Sequence, residues 1–344
     1  MAFGFGKKGS TVGLDIGSGL IKLVVIEHGG GMPELTRVVM TPVLADAIVE
    51  GEVMDPAVVS EAIKGLCTGL KTKKVVVAVG GRDVIVKKIQ VDRMKDSDAA
   101  EVVRWEAQQH VPFDIEGVEL DFQVLDPEGD GLQMEVLLVA AKRELVESKM
   151  TLLADAGLQA ERVDVDAFAL HNAFELNYPE AMEGVVTMVN IGHEVTNVNI
   201  VQDGIPLLTR DLNVGTRKFR EDLQRDLGLS AEDAESILVS GEPRPELARY
   251  VDARGDEIAV GVERAAAFLQ AATRDAAGLK QLYVSGGGAR INGLAAALSS
   301  RLGVPAQVAN PLQRLRVRND VFETLDVDQI APLLMQSIGM ALRT

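Results

Sequence analysis

The sequence predicts an α/β protein of two lobes, with a small α+β subdomain inserted into the first. Three observations carry that prediction. Short runs rich in Val, Ile and Leu alternate with helical runs along the 344 residues. A strand, glycine turn, strand pattern occurs twice, with Asp15 and Asn190 at matching positions 175 residues apart. From about Val84 to Ala160 the order is β-α-β-β-α.

Taken in order, "TVGLDIG" and "GLIKLVVIE" read as strands around Gly-Ser-Gly, and "ELTRVV" reads as a third. "VSEAIKGLCTGL" has helical spacing, and "KKVVVAVG" is a buried strand. In the inserted stretch "DVIVKKIQV" alternates as a strand. "SDAAEVVRWEAQQHV" is a helix with Ser97 as N-cap and Pro112 as its stop. "VELDFQVLD" and "MEVLLVAA" are strands joined around "PEGDG", and "RELVESKMTLLADAG" is a helix closed by Gly157. "ERVDVDAFALHNAFEL" is a strand running into a helix. "VVTMVNIGHEVTNVNIVQDGIPLLTRDL" repeats strand, glycine turn, strand, with Asp203-Gly204 turning into a third strand. From Thr216 to about Ala277 the pattern is mostly helical, with a capping box from Ser230 to Asp233. "LKQLYVSGGGARINGLAAAL" is strand, glycine turn, helix, and "DQIAPLLMQSIGMALR" is an amphipathic helix. The expected organisation is first lobe 11–83, inserted subdomain 84–160, and first lobe with a connecting helix 161–184. The second lobe follows over 185–211, a helical subdomain over 212–278, and the rest of the second lobe with a closing helix over 279–344.

Composition narrows the function. Hydrophobic residues make up 47% and charged residues 25%, so a packed core is expected rather than long disorder. A net charge of −16 excludes non-specific nucleic-acid binding, which needs clustered Lys and Arg. Cys67 is the single cysteine, so there is no internal disulfide, and its apolar helical surroundings mark it as core. The histidines His28, His110, His171 and His193 show no metal-ligand spacing. "VVVAVGG" is too short for a bilayer, which needs about 20 apolar residues. "MAFGFGKKG" has no apolar signal region before a cleavage site, so a cytoplasmic location is expected. Competing phosphate motifs are missing. "GFGKKGST" holds only fragments of G-x-x-x-x-G-K-S/T, and in "GGGARING" Ile291 stands where G-x-G-x-x-G requires its third glycine.

The internal repeat points to phosphate. Leu14-Asp15-Ile16-Gly17 matches Val189-Asn190-Ile191-Gly192, and each copy later reaches Leu-Thr-Arg, at 35–37 and 208–210. The period is too long for a solenoid and fits a duplicated lobe. A turn between two strands presents successive backbone N–H groups into a concavity that holds phosphate oxygens without a helix terminus. Two facing copies would grip a polyphosphate from opposite sides. Glycine lets the backbone approach, because a Cβ would block it.

These residues resemble a known superfamily, the actin-like ATPases. "DIGSGLIK" (Asp15 to Lys22) resembles its first phosphate motif, and "NIGHEVT" (Asn190 to Thr196) resembles the second. "LYVSGGGARINGL" (Leu282 to Leu294) resembles the adenosine motif, while "VDVDAFALHNAF" and the last helix resemble the two segments connecting the lobes. All five occur in family order and span the chain. Within the superfamily the chain resembles the PilM family of type IV pilus assembly proteins, which is related to FtsA. The inserted subdomain, "RWEAQQHVPFD" (Arg104 to Asp114) and the end at Thr344 carry that resemblance; FtsA normally continues into a membrane-targeting helix.

The resemblance implies an actin-like (ribonuclease H-like) fold with ATP and Mg²⁺ in the cleft. It places Asp15 at the metal through water, Gly17, Ser18 and Gly19 on phosphate, and Lys22 as a flexible cation. Gly286, Gly287 and Gly288 would let the base and α-phosphate approach. Gly192, Thr196 and Gly215 fall on the second-lobe side of the nucleotide, and Glu235 on the ribose hydroxyls, with Leu238 where a lysine is usual. Asn190 replaces the usual aspartate and removes a carboxylate near metal and attacking water, so the expectation is a slow ATPase or a protein that only binds ATP. Asp164 is a weak candidate for positioning water, and Asp166 is either a helix N-cap or a catalytic group. His193 sits in the second turn, although the family does not require it. The implied partner is the cytoplasmic N-terminal tail of PilN, an extended peptide in the groove between the first lobe and the inserted subdomain. Arg104, Trp105, Glu106 and Phe113 would lie at that groove, with Trp105 reading equally as partner anchor or core. PilC and the pilus motor ATPases are further implied partners, and the membrane would be reached only through partners at the inner membrane. The alternatives are an FtsA-like filament protein and a sugar kinase, which needs a carboxylate base at a substrate hydroxyl.

Overall fold

The computed structural model describes residues 9–29, 31–240, 244–272, 278–323 and 325–344, so "MAFGFGKK" lies outside the described residues. Strands β1 (Gly9–Ile16), β2 (Leu20–His28) and β3 (Glu34–Pro42) form an antiparallel meander with Asp15 opposite Lys22. A minimal ladder follows, β4 (Ile48–Val49) with β5 (Glu52–Val53). Helix α1 (Pro56–Leu66) starts on Asp55, whose carboxylate accepts the Val58 N–H at 3.1 Å. Strand β6 (Lys74–Val79) then lies parallel to β1.

The next elements build a separate small sheet. Strand β7 (Val84–Asp92), helix α2 (Asp96–His110), strand β8 (Val118–Val124) and strand β9 (Gln133–Lys142) give the antiparallel order β7-β9-β8. Ala99, Val103 and Ala107, spaced four apart on α2, are buried in its core beside Val136 and Leu138. Helix α2 begins at Asp96 after Lys95, so Ser97 is inside the helix and not its N-cap. Helix α3 (Arg143–Asp155) buries Leu152 and Leu153 in the first lobe's core, not in the small sheet's. The expected span 84–160 therefore includes a helix that packs elsewhere. Strand β10 (Gln159–Val165) returns to the first sheet beside β6, and helix α4 (Asp166–Asn177) follows.

The second sheet repeats the first. Strands β11 (Val185–Ile191), β12 (Thr196–Gln202) and β13 (Ile205–Leu212) form a meander with Asn190 opposite Asn197. Asp203 (φ 49°) and Gly204 (φ 76°) make the two-residue turn between the last two. Helices α5 (Thr216–Leu227), α6 (Ala231–Val239) and α7 (Ala248–Ala272) follow, and Ser230 caps α6 by accepting the Asp233 N–H. Strand β14 (Leu282–Ser285), helix α8 (Leu294–Leu302) and strand β15 (Ala306–Val308) complete this sheet, while β16 (Arg316–Val317) pairs back to β3. The orders are β10-β6-β1-β2-β3-β16 and β13-β12-β11-β14-β15, one topology used twice. Burial on both faces explains the near-continuous apolar runs of β6, β11 and β14.

The chain ends in α9 (Val327–Ile330), a 3₁₀ turn at Ala331–Leu334 and α10 (Met335–Ala341). Pro332 interrupts what the sequence suggested was one helix. Helix α10 is also buried nearly all round, not amphipathic. It crosses α4 in the core that joins the sheets, among Leu170, Phe174, Met188 and Ile338. Phe174 stacks on Tyr178 at 4.9 Å and meets Tyr283 edge-on at 4.6 Å, tying α4 to the second sheet. At the crossing Gly339 rests on the Ala169 carbonyl and Gly13 on the Ser337 carbonyl, and a methyl at either would overlap that oxygen. Among the described residues no helix is long and apolar enough to cross a membrane. Gly339→Ala should lower unfolding free energy by about 1–3 kcal/mol or more in urea titration, because the two helices must move apart.

Candidate functional site

A cleft of about 710 Å³ lies between the sheets. Ile16 pairs with Ile21, and Ile191 pairs with Thr196, so each meander turns through four residues at the cleft. The turns meet: a Cβ on Gly19 would lie 2.7 Å from Cγ of His193. Gly17, Ser18 and Gly19 line the cleft, and their N–H groups donate no hydrogen bond to the described residues. Three successive free donors are what an anion-binding concavity in such a turn requires. The second turn is partly self-satisfied, since the Gly192 N–H donates to Val195 O at 2.9 Å.

The equivalent strand pairs differ in charge. Lys22 Nζ lies 2.7 Å from Asp15 Oδ2, both largely buried. In the second lobe the same register positions hold Asn190 and Asn197. Asn190 Oδ1 accepts from Ser285 Oγ at 3.0 Å, while its Nδ2 donates to Asn197 Oδ1 at 3.2 Å and to Gln336 Oε1 at 3.4 Å. Asn197 donates onward to Asp211 at 2.6 Å, and Gln336 donates to Asp166 at 2.6 Å. The two carboxylates therefore orient both amides, and the Asn190 nitrogen must face two oxygens. Burial pushes the Asp166 carboxyl up to about 7, against the pull of Lys149. Burial also raises Asp211, against hydrogen bonds from Asn197 and the Gly81 N–H.

Ion pairs close the mouth. Arg217 on α5 reaches Asp46 of the first lobe at 3.1 Å and Glu194 at 2.7 Å. Glu194 Oε2 accepts the Glu50 N–H at 2.6 Å. Asp46 (φ 61°) and Glu50 (φ 49°) both hold left-handed backbone, which ordinarily costs a non-glycine residue energy.

Of the expected residues, Asp15, Gly17, Ser18, Gly19 and Lys22 line the cleft from the first lobe. Asn190, Gly192, Glu235, Gly286 and Gly287 line it from the second. Gly286 has φ 80°, and a Cβ there would meet Asn190 Oδ1 at 2.7 Å. Three expected residues support the wall from behind. Thr196 Oγ1 donates to Val214 O at 2.6 Å, Gly215 lets the start of α5 touch the His193 carbonyl, and Gly288 packs on Ile191. Asp164 requires correction: it is buried away from the cleft, 3.1 Å from Arg343, and accepts the Val165 N–H. Asp166 is the carboxylate that lines the cleft, and it is the first residue of α4, with Val165 as the N-cap. Leu238 is core, and Arg290 supplies a cation on the adenosine-motif side. Arg104, Trp105, Glu106 and Phe113 lie elsewhere, on the small sheet's unit. Trp105 is 60% exposed, so it is not core; Arg104 stands 3.9 Å from Glu116, and Phe113 is half-buried with Lys142 Nζ 4.8 Å from its ring centre. Lys149, Asp211, Arg217 and Gln336 were missed. Only Asn197 had a sequence signal, the same offset that maps Asp15 onto Asn190.

The donor set fits a nucleotide with Mg²⁺. Among the described residues no cluster of three or more His, Cys, Asp or Glu could hold a metal alone. Mg²⁺ usually keeps several waters and takes one or two carboxylates with phosphate oxygens, which a single Asp15 can satisfy.

A family model for type IV pilus assembly protein PilM matches residues 13–344. The chain belongs to the PilM family. A solved PilM–PilN type IV pilus biogenesis complex is similar at 30% identity with a TM-score of 0.84, over 98% of this chain and 99% of that one. Cell division protein FtsA of Streptococcus pneumoniae serotype 2 (strain D39) is 25% identical over 269 residues, 70% of this chain. The alignment spans 58% of that relative's length. MreB 5 of Spiroplasma citri bound to AMPPNP shares the fold, with 13% identity and a TM-score of 0.53 over 97% of this chain and 95% of that one. The fold of this PilM family member is thus the actin-like one.

Asn190→Asp should destabilise the protein at pH 7.5 by about 1–3 kcal/mol, because a carboxylate cannot donate to Asn197 and Gln336. Burial and the neighbouring Asp166 and Asp211 would raise its folded pKa above the unfolded value of about 3.9. The deficit is then small near pH 4, where a protonated carboxyl still donates, and grows as pH rises through the folded pKa. Urea titrations at both pH values check this.

Proposed function

We propose that this chain is a nucleotide-binding scaffold of the type IV pilus assembly platform. It holds ATP with Mg²⁺ between the two hairpin turns and the cytoplasmic N-terminal tail of PilN on the unit formed by β7 to β9 and α2. The observation that carries the reading is the 30% identity to the PilM–PilN complex across 98% of the chain. The free N–H groups of the first turn and the Asp15–Lys22 pair support the nucleotide half. The tail half is supported by the exposed Trp105 on α2 and the half-buried Phe113 that follows the helix, aromatic side chains of a kind that anchors an extended apolar peptide. PilC and the motor ATPases would be met on the same platform, placing the chain at the cytoplasmic side of the inner membrane through its partners.

Bound Mg²⁺ would neutralise phosphate charge and polarise the phosphoryl group. Asp15 would hold the ion through water, and Lys22, 2.7 Å from Asp15, would offset phosphate charge. Asp166, with its carboxyl near 7, can accept a proton at physiological pH. Asn190 is neutral and already donates within the protein, so turnover is slow, well below the ~10 s⁻¹ of ordinary enzymes.

Calorimetry with a synthetic PilN tail peptide tests the partner half. Binding should weaken about tenfold or more in a Trp105→Ala, Phe113→Ala double variant. ATP should shift peptide affinity by the factor that peptide shifts ATP affinity. Unchanged peptide binding in the double variant would refute the site. Equal affinities with and without ATP would refute the coupling while leaving the scaffold intact.

A further inference from the structure

Helix α3 turns Leu145 and Lys149, four residues apart, into the cleft. Lys149 has no carboxylate within 4.0 Å among the described residues. The other first-lobe cations in the cleft are committed: Lys22 to Asp15 at 2.7 Å and Arg82 to Glu50 at 3.5 Å. In the second lobe Arg217 is held by Asp46, Glu194 and Glu221, and Arg290 contacts Gln329. Among the described residues Arg220, on α5, also has no ion pair, and its charge acts on His193 of the second turn. The charges acting on Lys149 are Asp166 and Asp15, and it lines the same cleft as the first turn with its free N–H groups. Burial lowers the pKa of its ammonium, which those two carboxylates partly restore. Lys149 is half-buried, and a partly desolvated cation that faces carboxylates without touching them is left to be paired by an anion entering the cleft.

We propose that Lys149 is a ligand of the terminal phosphate of a bound nucleoside triphosphate. This rests on the reading of the cleft as a nucleotide site. It adds a cation from α3, which runs on directly from β9, the central strand of the small sheet. Lys22 has no cationic counterpart at the matching register position of the second turn, where Asn197 stands. Lys149 fills that deficit from the first lobe's side. In the nucleotide reading Glu235 and Gly286, on the second lobe, take the nucleoside, which leaves Lys149, on the first lobe, to the terminal phosphate.

The test is calorimetry of Mg·ATP and Mg·ADP with the unaltered chain, Lys149→Ala and Lys149→Met. Thermal unfolding of each confirms a folded state, and the Met variant keeps the stem packed if the Ala variant does not fold. We expect ATP affinity to fall about tenfold or more and ADP affinity to change less than about threefold, as for one lost charge-assisted contact. Loss of both affinities in proportion would make Lys149 a structural cation and overturn the proposal. An unchanged ATP-to-ADP ratio would overturn it too, while leaving the nucleotide site standing. Failure of the unaltered chain to bind either nucleotide would overturn the cleft reading and this proposal together.

Discussion

Two helices cross at a glycine, and the site hangs on that crossing. Gly339 of α10 rests against the carbonyl of Ala169 in α4, while Gly13 of β1 rests against the carbonyl of Ser337. No other residue type permits this approach, because a side chain would occupy the place of an oxygen. The functional groups lie within a turn of these contacts. Asp15 is two residues beyond Gly13, Asp166 three before Ala169, and Gln336 three before Gly339. Gln336 and Asp166 can share a hydrogen bond at 2.6 Å only when the helices are this close. Packing of a pair of small residues thus sets a distance between polar groups on different elements.

The duplicated sheet is symmetric in backbone and asymmetric in charge. One register position holds an ion pair, Asp15 and Lys22, and its counterpart holds two amides, Asn190 and Asn197. Each choice suits its neighbours. The first turn leaves its N–H groups free, so a nearby cation reinforces anion binding. The second position lies between Asp166 and Asp211, both pushed toward protonation by burial. A third carboxylate there would add repulsion in a region of low dielectric, whereas an amide both donates and accepts. The amide network joins α4, α10 and the second sheet, at the expense of a second carboxylate for chemistry.

Local chemistry explains what was legible in the sequence. Both turns, the hairpin at Asp203-Gly204 and the cap at Ser230 could be read because their residue types act within a few positions. Asp15, Lys22 and Gly286 were pointed to by the resemblance to the actin-like ATPases, and all three line the cleft. Asp164 and Asp166 could not be separated, since their difference depends on where β10 ends and α4 begins, and boundaries are weakly encoded. Thr196, Gly215 and Gly288 belong to the site as supports, a role that a motif does not distinguish from contact. Lys149 and Arg217 sit on helices whose charged faces look solvated in sequence. Only the approach of the lobes turns those faces into a cleft floor and a mouth.

The central claim is that turns from both lobes hold one polyphosphate. Hydrogen–deuterium exchange of nucleotide-free and Mg·ATP-loaded protein tests it most directly, since it reads the backbone N–H groups that would bind phosphate. The account predicts slowed exchange at both 15–22 and 190–196, with the larger effect at Gly17 to Gly19, whose N–H groups are free. Protection confined to one turn, or absent from both while ATP is bound, would contradict it.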